Sequence, residues 1–229
     1  MKIAVLGSNG FIGSAVSSRL REKHEVVSIT RDEYKHFLGS SYDVFVNCNG
    51  NSRKFWANNN RKEDFKLSVQ SVYESLCDFR FKKYIYVSSM DVYVNNTYGY
   101  HKKLAEGIIS DATHNCVFLR CSSVIGKGMK KGVVKDIMEE QPVFISPESR
   151  IELITNTDIA RVVEETISMD IMSQAINAGS TTTTTVNEIA TFFDKKIKFS
   201  DKLEAHFFDY PVDKRFSFKT ALEYLECML

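Results

Sequence analysis

Residues 2–13, KIAVLGSNGFIG, join a short apolar run to a loop with glycines at 7, 10 and 13, and the segment that follows, FIGSAVSSRLREKH, has helical spacing. A continuous apolar run of this length, closed by turn residues, reads as a buried strand. Each glycine has a physical use at such a strand-to-helix junction. One permits a tight turn, one lets a ligand approach the backbone, and one lets the helix pack close to the sheet.

The same alternation continues along the chain. EVVSIT (25–30) is a second strand, and YDVFVNCNG (42–50) a third that ends in Asn49 and Gly50. Residues 62–80 carry apolar positions mostly at helical intervals, KKYIYVSS (82–89) is a fourth strand, YGYHKKLAEGIIS (98–110) a helix, and CVFLRCSSV (116–124) a fifth strand. Strands alternating with helices form βαβ units, so the fold class is α/β: a Rossmann-type, doubly wound parallel sheet. Its crossovers are expected to be right-handed.

Beyond about residue 125 the pattern changes. GKGMKKG reads as a loop, VVKDIMEE as a short helix, PVFI and IELIT as short strands, and DIARVVEETISM as a helix. In STTTTTVNEIATFF, Thr185 and Glu188 fit a capping box at a helix start. With no internal repeat or flexible linker, the division is a core over 1–125 and a small C-terminal substrate lobe over 126–229, with a returning strand and helix around 151–170.

Bulk composition excludes several classes. The 229 residues contain 43% hydrophobic and 26% charged residues, with a formal net charge of +1. That near-neutral balance offers no nucleic-acid or membrane surface. Five cysteines form no CxxC pair and read as thiols in a reducing compartment, and five histidines show no ligand spacing, so no metal is expected. The N-terminus lacks a signal-peptide cleavage pattern, and no apolar stretch approaches the ~20 residues that span a bilayer. A cytoplasmic protein is expected.

The glycine-rich turn at the start of a helix offers free N–H groups and a partial positive charge, which suits the pyrophosphate of a dinucleotide. Gly7, Asn9, Gly10, Phe11, Ile12 and Gly13 are the candidate contacts, with Asn49 and Gly50 at the end of the third strand. An acidic residue after the second strand would bind both ribose hydroxyls of NAD. Here Arg31 comes first and suits a 2′-phosphate, while Asp32 beside it suits a ribose hydroxyl. The expectation leans to NADP, with NAD open.

GSNGFIG (7–13), DVFVNCNG (43–50), YIYVSSMDVY (84–93), YGYHKKLAE (98–106) and LRCSSVIGKG (119–128) arrive in an order that resembles the extended short-chain dehydrogenase/reductases, the branch of nucleotide-sugar epimerases, dehydratases and reductases. The resemblance covers at least residues 1–160, and ELITNTDIARVV (152–163) looks like that family's strand-to-helix passage. It implies that Tyr98 is the general acid/base and that Lys102 is its partner and a holder of the nicotinamide ribose. It also implies that Ser89 hydrogen-bonds the substrate oxygen and that the backbone at Ser123 meets the nicotinamide.

The chemistry fits this spacing. Tyr and Lys at i and i+4 share one helix face, and a nearby ammonium is expected to lower the tyrosine pKa toward working pH. A second YxxxK, Tyr210 to Lys214, contains Pro211 and follows no serine-ended strand. It is set aside on that ground.

Several departures from the family pattern bear on function. Only nine positions separate Ser89 from Tyr98, which implies a short loop and an open pocket. Ser68 stands where the family commonly has asparagine. Met90 and Asp91 follow Ser89 where dehydratases carry acidic residues, which disfavours dehydration. Arg150 is one residue out of register with family arginines that bind diphosphate, and Lys127, Lys130 and Lys131 read as a solvated loop. Asn58 to Asn60 read as a loop and helix cap, Phe55 and Trp56 as pocket lining or packing, and His101 as facing away from Tyr98.

The expected function is NAD(P)-dependent reduction of a nucleotide-linked 4-keto sugar, with a 4-epimerase as the alternative. A non-catalytic dinucleotide-binding sensor is the alternative of another class. The helices at 62–80 and 98–110 are candidates for pairing with a second copy in a homodimer.

Overall fold

A computed structural model describes residues 1–169, 173–207 and 211–229; Tyr210 of the second YxxxK lies outside them. From the N-terminus come β1 (Lys2–Leu6), α1 (Phe11–Leu20), β2 (Glu25–Ile29), β3 (Ser41–Asn47), α2 (Lys54–Asn59) and α3 (Arg61–Phe65). A π-helical turn (Lys66–Gln70) leads into α4 (Ser71–Asp78), β4 (Arg80–Ser89), a 3-10 turn (Met90–Tyr93), α5 (Thr97–Ala112) and β5 (Cys116–Cys121). The chain goes on through β6 (Ser123–Ile125), α6 (Val133–Met138), β7 (Arg150–Ile151), β8 (Leu153–Thr155), α7 (Asn156–Ser168) and β9 (Gln174–Ala178). It ends with β10 (Thr184–Thr185), α8 (Val186–Phe192), β11 (Ala205–His206) and α9 (Ala221–Glu226).

Two compact units result: Met1–Arg120 with Thr157–Ile176, and Cys121–Asn156 with Asn177–Leu229. The larger unit holds a six-stranded sheet in the order β2-β1-β3-β4-β5-β9. Its β1–β2, β1–β3 and β3–β4 pairs are parallel. The chain runs from β1 to β2 on one side and then to β3 on the other. The carboxyl ends of β1 and β3 therefore flank the point where strand order reverses, the place where open α/β sheets take ligands.

Burial on both faces explains the near-continuous apolar strands: Ile3, Ala4, Val5, Phe45, Val46, Tyr84, Ile85 and Tyr86 are all fully buried. One side of the sheet carries an aromatic cluster in which Phe45 stacks on Tyr84 at 5.4 Å and tilts against Phe79 at 5.0 Å. The Tyr84 hydroxyl does not go unpaired there. Asn47 Nδ2 donates to it at 2.7 Å, and Ser75 Oγ lies 2.7 Å away. Burial dominates those bonds and pushes the Tyr84 pKa up. The helix α7 joins this unit through Glu164, which pairs with Arg19 at 2.7 Å and Lys23 at 2.8 Å.

The smaller unit contains the three-stranded sheet β10-β7-β11 and the pair β6-β8. Its helix α8 starts with the expected capping box of Thr185 and Glu188, and α9 repeats the device with Thr220 and Glu223.

Three expectations need correction. The helix expected over 62–80 is interrupted by the π-helical turn, which adds a residue to one turn and re-aims the backbone at Leu67 and Ser68. PVFI forms no strand, only a bridge between Val143 and Phe199. The sheet is completed by QAINA, Gln174–Ala178, and not by a strand around 151–155. IELIT instead splits between β7 and β8, which pair inside the smaller unit. QAINA contains one β-branched residue, so local propensity gives little strand signal there.

Candidate active site

The larger unit brings most of the candidate residues into one contiguous path. Gly7 has φ +79°, and a Cβ on it would lie 3.1 Å from the backbone N of Asn49. A Cβ on Gly13 would lie 2.1 Å from the carbonyl oxygen of Gly7, a contact that no side chain can make. The turn is closed by Gly10 N donating to Gly7 O at 2.9 Å. These close approaches pull the start of α1 onto the end of β1.

A dinucleotide fits the groups found there. The first turn of α1 holds no acidic residue and Gly10 gives no side-chain cap, so the positive end of the helix carries no opposing negative charge there. Ser8 Oγ is buried in the same loop with no hydrogen-bond partner in the protein. Asn9 is exposed and Phe11 and Ile12 are half-buried around it. At the end of β2, Arg31 and Asp32 are both exposed.

Gly50 links this loop to the lysine. A Cβ on Gly50 would lie 3.5 Å from Lys102 Nζ, 3.7 Å from Leu67 O and 3.9 Å from Ser68 Oγ. Lys102, 4% exposed, donates to Val87 O at 3.2 Å. Its ammonium sits over the Tyr86 ring at 4.7 Å and the Tyr98 ring at 5.9 Å. The ammonium is thus held by the strand β4, two aromatic faces and the glycine at the end of the third strand.

Tyr98 and Ser89 complete the path. The Asn96 side chain caps α5 by accepting from Gly99 N at 2.8 Å, so Tyr98 lies in the first turn and Lys102 one turn on. The Tyr98 phenol has its pKa pushed up to about 12: desolvation outweighs the lowering by Lys102, Asp91 and Tyr86 raise it further, and a hydrogen bond with Ser89 lowers it. This corrects the expectation of a lowered value. The ammonium acts in the expected direction but is outweighed, so the resting side chain carries its proton.

Behind these residues lies a buried network that sequence reasoning missed. Asp64, fully buried, is 2.6 Å from His101 Nδ1 through Oδ2. Its Oδ1 accepts from Asn51 Nδ2 at 2.7 Å and from Ser68 Oγ at 3.3 Å, and Asn51 N donates to Ser68 Oγ at 3.4 Å. Asp64 therefore ties α5 to the loop after β3. His101 is engaged by this bond to Asp64.

Gly99 was also missed. A Cβ there would lie 1.8 Å from the carbonyl oxygen of Asp91. The signal was present: a glycine inside a helix costs about 1 kcal/mol against alanine and calls for a packing reason.

Other candidates have partners of their own or lie exposed. Asn58 and Asn59 belong to α2 and not to a loop, and Asn60 Nδ2 bonds Trp56 O at 2.9 Å. In the smaller unit Ser123 N donates to Glu152 O at 3.1 Å, while Arg150 bonds Thr183 Oγ1 at 2.7 Å. Lys127, Lys130 and Lys131 are exposed. Among the described residues no group of three or more His, Cys, Asp or Glu is placed to hold a metal. No helix there is long and apolar enough to cross a membrane.

Comparison with known proteins gives the family and the fold. The chain is 31% identical over 116 residues to the UDP-2-acetamido-2,6-beta-L-arabino-hexul-4-ose reductase of Pseudomonas aeruginosa, a stretch that is 46% of this chain and 30% of that protein. The chain thus spans less than a third of that relative's length. Among solved structures it resembles MoeE5 in complex with UDP-glucuronic acid and NAD, with a TM-score of 0.87, 16% identity, and 99% of this chain and 97% of that one covered. It also resembles the dTDP-4-dehydrorhamnose reductase of Bacillus anthracis in complex with NADP, with a TM-score of 0.78, 12% identity and 98% and 96% covered. The UDP-glucose 4-epimerase of Thermotoga maritima with UDP-glucose gives a TM-score of 0.77 at 17% identity, with 100% and 98% covered. At these identities the structural likeness carries the fold. The family follows from sequence: a family model matches residues 3–161, which contain the glycine loop, Ser89, Tyr98 and Lys102, and the chain is a member of the NAD dependent epimerase/dehydratase family.

Proposed function

We propose that this protein uses NAD(P) to reduce the keto group of a nucleotide-linked sugar, with Tyr98 as the proton donor. The observation that carries the reading is the unbroken path from the glycine loop through Asn49 and Gly50 to Lys102, Tyr98 and Ser89. The nicotinamide supplies the hydride when bound. Gly7 to Gly13 would hold the pyrophosphate and Arg31 or Asp32 the adenosine ribose. Asn49, Gly50 and Lys102 would meet the nicotinamide half.

The protein's own groups do the rest. Ser89 orients the substrate oxygen, Tyr98 gives it a proton, and the buried ammonium of Lys102 stabilises the phenolate left behind. A phenol whose pKa stands near 12 is protonated at neutral pH, which suits a donor and favours ketone reduction over alcohol oxidation. The 4-keto position and the reductase assignment are proposals of the same kind, supported by Arg31, which suits the 2′-phosphate of NADPH. A 4-epimerase is the second reading; it would use the same residues with retained NAD, Tyr98 acting first as base. The exposed Tyr73 and Tyr100, with Leu104 and Ile108 beside them, are the surface we assign to a second copy.

Fluorescence titration with NADPH and NADH, with a check for carried-over cofactor, tests the reading. NADPH preference in a protein purified empty supports the reductase, and tightly retained NAD the epimerase. Binding of neither removes the enzyme assignment. Tyr98→Phe separates catalysis from sensing: turnover should fall by roughly 100- to 10,000-fold with cofactor binding kept.

A further inference from the structure

The carboxylate of Asp64 lies behind the site and has no part in the mechanism above. It is fully buried on α3, and each of its side-chain partners sits on a different element. His101 Nδ1, on α5, is 2.6 Å from Oδ2. Asn51 Nδ2, in the loop after β3, and Ser68 Oγ, in the π-helical turn, donate to Oδ1 at 2.7 Å and 3.3 Å. An ionised carboxylate only accepts, so His101 gives its Nδ1 proton to this bond. The Phe65 ring, next in the chain to Asp64, meets the imidazole edge-on at 5.7 Å.

These partners are chain neighbours of the groups that surround Gly50. A Cβ on Gly50 would lie 3.5 Å from Lys102 Nζ, 3.7 Å from Leu67 O and 3.9 Å from Ser68 Oγ. Asn51 follows Gly50, Ser68 follows Leu67, and Lys102 follows His101. Adjacent side chains on a helix stand about 100° apart, because a turn takes 3.6 residues. A tie at His101 therefore sets the rotation of α5 about its axis, and with it the direction in which Lys102 leaves the helix. The lysine then reaches Val87 O and the faces of Tyr86 and Tyr98.

We propose that Asp64 and His101 are positioning residues that set the ammonium of Lys102 against Gly50, where the nicotinamide half of the cofactor would lie. Both act through Lys102. The inference deepens the reductase reading and rests on it for what Lys102 does. A pair that served stability alone would behave differently: breaking it would weaken the fold and leave Lys102 in place.

The test follows the Lys102 ε-methylene by 1H–13C NMR in the intact, cofactor-free chain labelled with 13C-lysine. Lys102→Arg assigns the signal by its absence. Nζ stands 4.7 Å from the Tyr86 ring centre and 5.9 Å from that of Tyr98, so ring currents should set this signal apart from those of exposed lysines. In His101→Leu it should move back toward them, and NADPH affinity of the same sample should fall roughly tenfold, about 1.4 kcal/mol. His101→Asn, whose amide can place an N–H near the Nδ1 position, should restore both. An unmoved Lys102 signal in His101→Leu overturns the proposal, and so does a failure of His101→Asn to restore it.

His101→Leu strands a buried charge. If it does not fold, Asp64→Asn combined with His101→Leu removes that charge and carries the same expectation and the same overturning result. Failure of both to fold would assign the pair to stability and also overturn the proposal. An unsubstituted chain that bound no NADPH would remove the reductase reading, while the Lys102 signal still decides what the pair does to Lys102.

Discussion

The two ends of the site are built from different materials. The loop from Gly7 to Gly13 is shaped by close backbone contacts that glycine alone permits: the space where a Cβ of Gly13 would go is filled by Gly7 O at 2.1 Å. The end at Ser89, Tyr98 and Lys102 is made of side chains, each held by another through a hydrogen bond, a charge or an aromatic face. Substitutions should therefore act by collision at one end and by electrostatics at the other. Collision is all-or-none, whereas an electrostatic effect is graded and depends on pH.

The largest effect is expected where the contrast is strongest. Gly13→Ala places a methyl group into the Gly7 carbonyl and forces α1 away from β1. NAD(P)H affinity measured by titration should fall by roughly 100-fold or more, about 3 kcal/mol. An affinity within threefold of the unsubstituted chain would show that the loop gives way, and the contrast would be lost.

Gly99→Ala brings collision to the side-chain end. The added Cβ would lie 1.8 Å from Asp91 O, so α5 must shift against the 3-10 turn and carry Tyr98 away from Ser89. A displacement on the order of 1 Å costs about 100-fold in turnover. The expected outcome is that loss in kcat, with a smaller change in cofactor affinity because the glycine loop is untouched. Equal losses in both would mean that the two ends are not separable.

The graded behaviour appears in the pH profile. With the Tyr98 pKa raised to about 12, the proton donor is fully present below that value and declines only as pH rises through it. Ketone reduction should therefore show no alkaline limb from Tyr98 between about pH 7 and about pH 9. Oxidation in reverse needs the phenolate and should rise about tenfold per pH unit over the same range. A reduction rate that fell across that window would place the working pKa far below 12.

The smallest effect tests the aromatic cluster beneath the site. Ser75→Ala leaves the buried Tyr84 hydroxyl with Asn47 as its partner. Denaturant unfolding should show a loss of about 1 kcal/mol with cofactor affinity unchanged.

How much of this could be read from the sequence follows the same contrast. A backbone-built loop must declare itself through glycines, and Gly7, Gly10 and Gly13 did so because no other residue fits. Strand and helix alternation likewise gave the sheet through β5, since both faces are buried and the runs are apolar throughout. Ser89, Tyr98 and Lys102 were legible because their spacing fixes them on a strand end and one helix face.

Their supports were not. Asp64 meets His101 across 37 positions, and Lys54 meets Asp91 across α3, α4 and β4. Neither pair leaves a local period. The raised Tyr98 pKa was hidden for a related reason. The lysine is visible in sequence, whereas the burial that outweighs it is a property of the folded chain.

One consequence concerns the only tryptophan in the chain. Trp56 lies in α2, with the Arg53 guanidinium 4.1 Å from its ring centre. The same short helix contributes Lys54 to Asp91 and Asn58 to the N–H of Thr97 at 3.4 Å. Any rearrangement at the proton-donating end that pulls on α2 also moves the indole relative to its cationic neighbour. Steady-state emission at indole wavelengths thus watches a single helix next to Ser89 and Tyr98, with no label added and no second tryptophan to dilute the signal.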